Sequence, residues 1–282
     1  MAASSKNRAQ AGAAGRVLVI AGAGDVGGRL ALRRADMGND VIALRRRELA
    51  MAPGIRTLRA DLASGEGLAR LPRRVDALVF CAAPDQRDEA AYRALYLDGL
   101  RRLMDACEAP RLIFVSSTAV YGQDAGEWVD EASPAEPPAF NGRVLRQAEE
   151  ALAPHGGGIA LRLSGLYGPG REMMLRKARA GEPGRPHWTN RLHVDDAAAA
   201  LSHLLDADAP HACYVGSDDL PALESEVLDW LRSKQGLPAV PAATGAVTGR
   251  RLRNARLRAS GWAPAHPDYR AGYGALLAGP GV

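Results

Sequence analysis

The sequence predicts an α/β fold, a doubly wound parallel sheet followed by a small, discontinuous C-terminal lobe. Three observations predict it. Near-continuous apolar runs of strand length alternate with helical periodicity through the first two thirds of the chain, the pattern of strands covered by helices on both faces. A glycine-rich turn stands where the first strand meets the first helix. After residue 165 the alternation loosens into Gly/Pro-rich stretches with only short helices.

The elements follow in order. "RVLVIAG" (16–22) reads as a buried strand and "VGGRLALRRADMG" (26–38) as a helix closed by Gly38. "DVIAL" (40–44), "IRTLRAD" (55–61) and "VDALVFCAA" (75–83) are the next strands. A long helix is predicted across 88–107, then the strand "RLIFVSS" (111–117), a helix over 142–152 and the strand "GIALRLSG" (158–165). "HVDDAAAALSHLLDA" (193–207) is a helix, "HACYVGS" (211–217) a last strand able to rejoin the sheet, and two more helices fall at about 221–235 and 252–260. Residues 16–165 with 190–217 are expected to form a dinucleotide-binding domain, and 166–189 with 218–282 a small substrate-binding lobe.

With 282 residues, 47% hydrophobic and 24% charged, the chain has material for a sizeable core and suits a soluble globular protein. No apolar run approaches the roughly 20 residues needed to span a bilayer. Residues 1–15, MAASSKNRAQAGAAG, lack an apolar stretch, so they read as a disordered tail rather than a secretory signal. Cys81, Cys107 and Cys213 are odd in number, widely spaced and set in apolar runs, which indicates a reducing, cytoplasmic setting. Neither they nor the six histidines have metal-ligand spacing, and no metal is expected. Net charge is +4, but the arginine pairs and triplets are scattered and lack interleaved aromatics. Neither nucleic acid nor membrane is an expected partner.

The glycine turn Gly22-Ala23-Gly24-Asp25-Val26-Gly27-Gly28 carries the first chemical expectation. Glycines there permit the tight turn and let backbone approach a pyrophosphate, while the helix N-terminus directs its amides at the phosphates. With a strand before it and a helix after it, the turn makes this a Rossmann-type sheet. Gly22, Gly24, Asp25, Val26 and Gly27 are assigned to the cofactor. The second strand ends "ALRRRE", with Arg45 and Arg46 where an acidic residue would hold the ribose hydroxyls of NAD. A guanidinium grips a 2′-phosphate that a carboxylate would repel, so NADP is preferred to NAD. Asp61 and Leu62, after the third strand, are placed to cover the adenine; Ala82, Ala83 and Ser116, at the ends of the next strands, complete the expected cofactor set.

Five ordered segments resemble the extended branch of the short-chain dehydrogenase/reductases, the NAD(P)-dependent epimerase/dehydratase group. They are the glycine loop with Asp61, "FVSSTAVYG" (114–122), "LRLSGLYGPG" (161–170), "NRLHVDDAA" (190–198) with "YVGSDDLP" (214–221), and "NARLRASGWAPAHPDYRAGY" (254–273). In that family a Ser/Thr, a Tyr and a Lys do the work, the lysine and nicotinamide charge lowering the tyrosine's pKa. Carried over by motif, the Ser/Thr falls on Ser117 and the family's helix glutamate on Glu149. The tyrosine position is then Asn141 and the lysine position Leu145, and none of the seven tyrosines has Lys four residues later. The "NGRVL" helix start resembles a small atypical bacterial subgroup of sugar-nucleotide-epimerase-like proteins without the tyrosine motif.

A positioned general acid–base contributes roughly 10²–10⁴ in rate, so an active enzyme needs a substitute. Tyr121 and Tyr167, both on loops at the sheet's C-terminal edge, are the candidates for that relay. Asn141 can orient a substrate but cannot titrate. Thr189 stands where nucleotide-sugar enzymes usually place a diphosphate-holding arginine, leaving Arg185, Arg191 and the arginines of 250–258 to hold a phosphorylated substrate. Two functions follow. One is an NADP-dependent oxidoreductase or epimerase on a small polar, nucleotide-sugar or phosphorylated substrate. The other is a non-catalytic NADP-binding module that reports redox state to a protein partner. The resemblance also implies a homodimer formed through the helices at 88–107 and 142–152.

Overall fold

The computed structural model describes residues 15–47, 51–153, 156 and 158–279. The tail expected at 1–15 lies outside them, except for Gly15. The first half runs β1 (Val17–Ala21), α1 (Asp25–Asp36), β2 (Asp40–Arg45), β3 (Ile55–Arg59), β4 (Ala77–Phe80), α2 (Glu89–Arg93), α3 (Leu100–Ala106) and β5 (Leu112–Ser117). It continues β6 (Ala125–Val129), α4 (Phe140–Glu150), β7 (Gly158–Leu163), β8 (Gly165–Tyr167), α5 (Met173–Arg179), β9 (His187–Thr189), β10 (Arg191–His193) and α6 (Val194–Asp206). The last elements are β11 (Cys213–Gly216), β12 (Ala222–Leu223), α7 (Glu224–Lys234), β13 (Thr248–Leu252), α8 (Ala255–Ala259) and α9 (Tyr269–Ala278).

Seven strands form the main sheet in the order β11-β7-β5-β4-β1-β2-β3. Strands β1 to β5 pair in parallel with their neighbours, and the chain order reverses between β1 and β4. This is the doubly wound α/β fold that the alternation predicts. The central strands VLVIA and ALVF are apolar at every position and almost wholly buried, as strands packed on both faces must be. Edge strand β3, IRTLR, instead carries two exposed arginines and no fully buried position.

The contacts within the chain define two compact units. Unit 1 holds the residues up to Ser116 together with Ala139–Leu161 and Leu201–Ala212; unit 2 holds Ser117–Pro138, Arg162–Ala200 and Cys213 onwards. This division keeps 201–212 with the nucleotide unit as expected but places 117–138, 162–165, 190–200 and 213–217 in the other unit. The reason lies in short strands that no periodicity reveals. β6 pairs with β13, β13 with β9, and β9 with β12 in a four-stranded sheet, so the 117–138 loop is tied to the C-terminal segment. The parallel pair β8–β10 does the same for 165–167 and 191–193.

Unit 1 gathers all three phenylalanines and two tyrosines against the inner strands. Phe80 lies 5.6 Å from Phe114 and 6.3 Å from Tyr96, ring centre to ring centre, and Tyr92 meets Phe140 edge-on at 5.4 Å. The predicted helix over 88–107 forms, but as α2 and α3 joined by a π-helical turn at Ala94–Gly99. Gly99 faces the Leu62 carbonyl so closely that a Cβ there would stand 3.0 Å from it.

One buried ion cluster fixes the outer helices of this unit. The Arg34 guanidinium, fully buried on α1, donates to both carboxylate oxygens of Asp206 at 2.6 and 3.0 Å and to Asn39 Oδ1 at 2.8 Å. Removing one partner from a buried pair leaves a desolvated charge behind, typically at a cost of about 3–5 kcal/mol. Asp206→Ala is therefore expected to lower unfolding stability by about 3 kcal/mol, because Asn39 Oδ1 and the Ser202 oxygens at 3.4 Å bring no countercharge to the buried guanidinium. A lower urea midpoint at unchanged m-value is the measurement that checks it.

Candidate functional site

The glycine turn is a built cradle in unit 1. Gly22 adopts φ +96°, and a Cβ there would stand 2.4 Å from the Ala82 backbone nitrogen. At Gly27 a Cβ would stand 2.3 Å from the Gly22 carbonyl oxygen. Both glycines are thus sterically required: β4 and the α1 N-terminus press on the turn from two sides. Gly24 is the opposite case, exposed and with nothing within 4 Å of where its Cβ would stand. The close packing of 22, 27 and 82 with open space over Gly24 is the shape a pyrophosphate on a helix N-terminus needs.

Around this turn unit 1 brings together most of the expected cofactor residues. β2 pairs with β1 through Leu44↔Ala21 and with β3 through Arg45↔Arg59, which sets Arg45 at the C-terminal end of the strand beside the turn. Arg45 is half-buried and its guanidinium has no partner among the described residues. Arg46 is exposed and paired through both Nη atoms with Asp85, the Nη2–Oδ1 bond being 2.6 Å. Asp61 turns one carboxylate oxygen back on its own loop, accepting from the backbone nitrogens of Ala63 at 2.8 Å and Ser64 at 3.3 Å. Leu62 is buried, Ala82 half-buried and Ala83 exposed. Asp25 pairs with Arg29 one turn along α1 at 2.9 Å, and Val26 is buried under the helix. Ser116, expected at the cofactor, commits its hydroxyl elsewhere: it donates to Glu149 Oε1 at 2.6 Å with both side chains buried.

The expected catalytic residues divide between the units. Asn141, in unit 1 at the start of α4, is half-buried and its side-chain amide has no partner among the described residues. Leu145 is buried, so an apolar side chain fills the lysine position. In unit 2, Ser117 Oγ accepts from Ala119 N at 3.2 Å and caps the short turn at Thr118–Val120.

The two relay tyrosines need correction. Tyr121 is 1% exposed. Its hydroxyl donates to the Asp130 carbonyl at 2.8 Å and accepts from Arg162 Nη1 at 2.8 Å. Burial pushes its pKa up to about 12, the Arg162 guanidinium opposing only in part. Tyr167 is also buried, and its hydroxyl lies over Gly272, where a Cβ would collide with it. Burial, with Asp218 next, drives its pKa far upward. A relay needs a reachable phenol with a pKa brought down toward the working pH, and both tyrosines depart from this in the opposite direction. They are packing residues.

The arginines suggested for a phosphorylated substrate have partners within unit 2, although Arg191 Nη1 is buried without a hydrogen bond and the Arg185 side chain is 63% exposed. Arg185 donates to Glu224 at 2.8 Å, and Arg191 is buried against the Tyr269 ring. Arg250 donates to the carbonyls of Thr118 and Tyr121 at 2.9 and 2.6 Å. Arg251 lies between the Trp128 and Trp188 rings at 5.0 and 5.1 Å, and Arg256 and Arg258 pair with Glu131 and Asp219. Sequence reasoning missed Asp85 and the Ser116–Glu149 bond. The first had a signal, an acidic residue just beyond the "CAAP" that ends the fourth strand; the second had only the family's helix glutamate.

Comparison with known proteins agrees with this architecture. Residues 17–216 match the model of the NAD dependent epimerase/dehydratase family, and the chain belongs to that family. It is 40% identical over 117 residues to protein YeeZ of Escherichia coli strain K12, a stretch covering 40% of this chain and 42% of that protein. It is 30% identical over 225 residues to the 2′-dehydrokanamycin reductase of Streptomyces kanamyceticus, covering 71% of this chain and 60% of that one. The chain thus spans about half the length of the curated relatives it matches. A solved structure from Methylobacillus flagellatus, provisionally assigned as an NAD-dependent epimerase/dehydratase, is 39% identical, with a TM-score of 0.82 over 93% of this chain and 98% of that one. Among the described residues no helix is long and apolar enough to cross a membrane.

Two variants check the site. Gly27→Ala must move backbone at Gly22 and is expected to weaken dinucleotide binding at least about tenfold by calorimetry. Tyr121→Phe removes the hydroxyl that donates to the Asp130 carbonyl and accepts from Arg162 Nη1, so it should lower stability by about 1–3 kcal/mol. Since the folded pKa is raised from 10 to about 12, the stability linked to this proton is full below pH 10 and fades as pH rises toward 12. In the Phe variant that alkaline loss should shrink, and the pH–rate profile should not move.

Proposed function

We propose that the chain is an NADP-dependent reductase of a small, polar, carbonyl-bearing substrate that draws its proton from solvent rather than from a tyrosine. The single observation that carries this reading is the cradle of unit 1: Gly22 and Gly27 close-packed, Gly24 open, and Arg45 unpartnered among the described residues. Gly22–Gly27 and the α1 N-terminus would hold the pyrophosphate, Arg45 and Arg46 the 2′-phosphate, and Asp61 with Leu62 the adenosine. The bound nucleotide supplies a hydride.

The chain's own residues orient and do not titrate. Asn141 of unit 1 has amide protons to donate to a carbonyl oxygen. Reduction suits this set better than epimerisation. An epimerase must first take a proton from an alcohol, which calls for a base that Asn141 and Leu145 do not supply; a carbonyl being reduced can be protonated by water, at a loss of roughly 10²–10⁴ in rate. The reductase name of the S. kanamyceticus relative supports this direction. The same reading has the chain work in the cytoplasm, as a homodimer through α2–α3 and α4 by analogy with the family.

The apolar filling of the lysine position favours a second reading, a non-catalytic NADP-binding module acting through a protein partner. Steady NADPH consumption with any defined carbonyl substrate excludes it.

NADPH is expected to bind at least about tenfold more tightly than NADH in calorimetric titration, and Arg45→Ala to remove most of that difference. Turnover in a carbonyl-compound screen should fall steadily as pH rises, without the limb of a titrating tyrosine. Equal affinity for the two nucleotides would sink the NADP assignment.

A further inference from the structure

Asp85 stands on the loop after β4, 39 residues from Arg46 in sequence, yet its two carboxylate oxygens take both Nη groups of that guanidinium. The pair is open to solvent, with 54% of the Arg46 side chain and 66% of the Asp85 side chain exposed. The hydrogen bond from Arg46 holds the Asp85 carboxyl below its usual range, and Arg47 on the same turn adds to this. Neighbouring Arg45 has no such counter-ion among the described residues. A phosphate offers a guanidinium the same forked pair of oxygens as a carboxylate. Arg46 is therefore already gripped in the manner that a ribose 2′-phosphate would grip it.

We propose that Asp85 is a specificity-determining residue of the nucleotide site: it occupies the Arg46 guanidinium as a phosphate stand-in, and a 2′-phosphate must displace it. This deepens the NADP reading and rests on it. Binding then exchanges one bidentate pair for another, and the displaced carboxylate remains close to a dianionic phosphate and repels it. Both effects weaken NADPH binding relative to what Arg45 and Arg46 alone would give. Neither touches NADH, which brings no phosphate to this guanidinium. Asp85 thereby sets the chain's preference between the two nucleotides instead of its affinity for dinucleotides in general.

The test is calorimetric titration of the full chain with NADPH and NADH, on wild type, D85N, D85A, R46A and the R46A/D85A double variant. Exposed ion pairs are weak, so D85N and D85A should tighten NADPH by about three- to fivefold. NADH should stay within about twofold, with the thermal midpoint within about 2 °C of wild type. When Arg46 is already alanine, the gain from D85A should shrink below about twofold. An unchanged NADPH/NADH ratio in both Asp85 variants overturns the proposal. So does weaker NADPH binding in both, which would make Asp85 a scaffold that holds Arg46 ready. A wild type that prefers NADH while D85N still shifts the ratio toward NADPH defeats the NADP reading but sustains the role of Asp85. A wild type that binds neither nucleotide defeats both.

Discussion

The carbonyl oxygen of Gly22 and the backbone of Ala82 take up the space that side chains at 27 and 22 would fill. That steric constraint organises unit 1. With no Cβ at either position, α1 starts directly against the end of β1, and its free amide groups are turned toward the open space over Gly24. The parallel registers β4–β1–β2–β3 then carry the strand ends bearing Ala82, Arg45 and Asp61 to the same edge of the sheet. A one-residue slip in any of them would turn those side chains to the other face. The nucleotide site is thus a consequence of packing before it is a matter of particular polar groups.

The chemistry that this site can support is limited by what stands at the tyrosine and lysine positions of the family. Leu145 is buried and Asn141 does not titrate. The tyrosines nearest in sequence to the relevant strand ends have been drawn into the fold: Tyr121 joins Asp130 to Arg162, and Tyr167 lies on Gly272 beside Tyr273. Their raised pKa values follow from burial. A group stabilised as a neutral phenol in a dry interior is a poor proton exchanger at neutral pH. Under the proposed reductase function, proton delivery falls to solvent and the chain's own groups only orient.

The arginines show the same economy of surface charge. Arg34, Arg162, Arg191 and Arg232 are buried, and others hold backbone carbonyls or lie on indole rings. A planar guanidinium can satisfy several carbonyls or stack on an aromatic face, which an ammonium does less well. This sets apart the triplet at 45–47, where half-buried Arg45 is unpartnered among the described residues and exposed Arg46 is held by Asp85.

The main sheet, its parallel sense, the glycine cradle and the loss of the tyrosine–lysine pair were legible in the sequence. Each depends on local pattern: apolar runs of strand length, glycine where backbone must approach backbone, and residue identity within a helix register. The two-unit division, the four-stranded sheet of β6, β9, β12 and β13, and the roles of Tyr121, Tyr167 and the 250–258 arginines were decided by tertiary structure. Strands of two to five residues carry too few side chains for periodicity to register, and whether a tyrosine or arginine is free depends on partners distant in sequence. Asp85 illustrates the limit: its residue type is visible on a loop, but its grip on Arg46 arises only when the sheet brings two strand ends together.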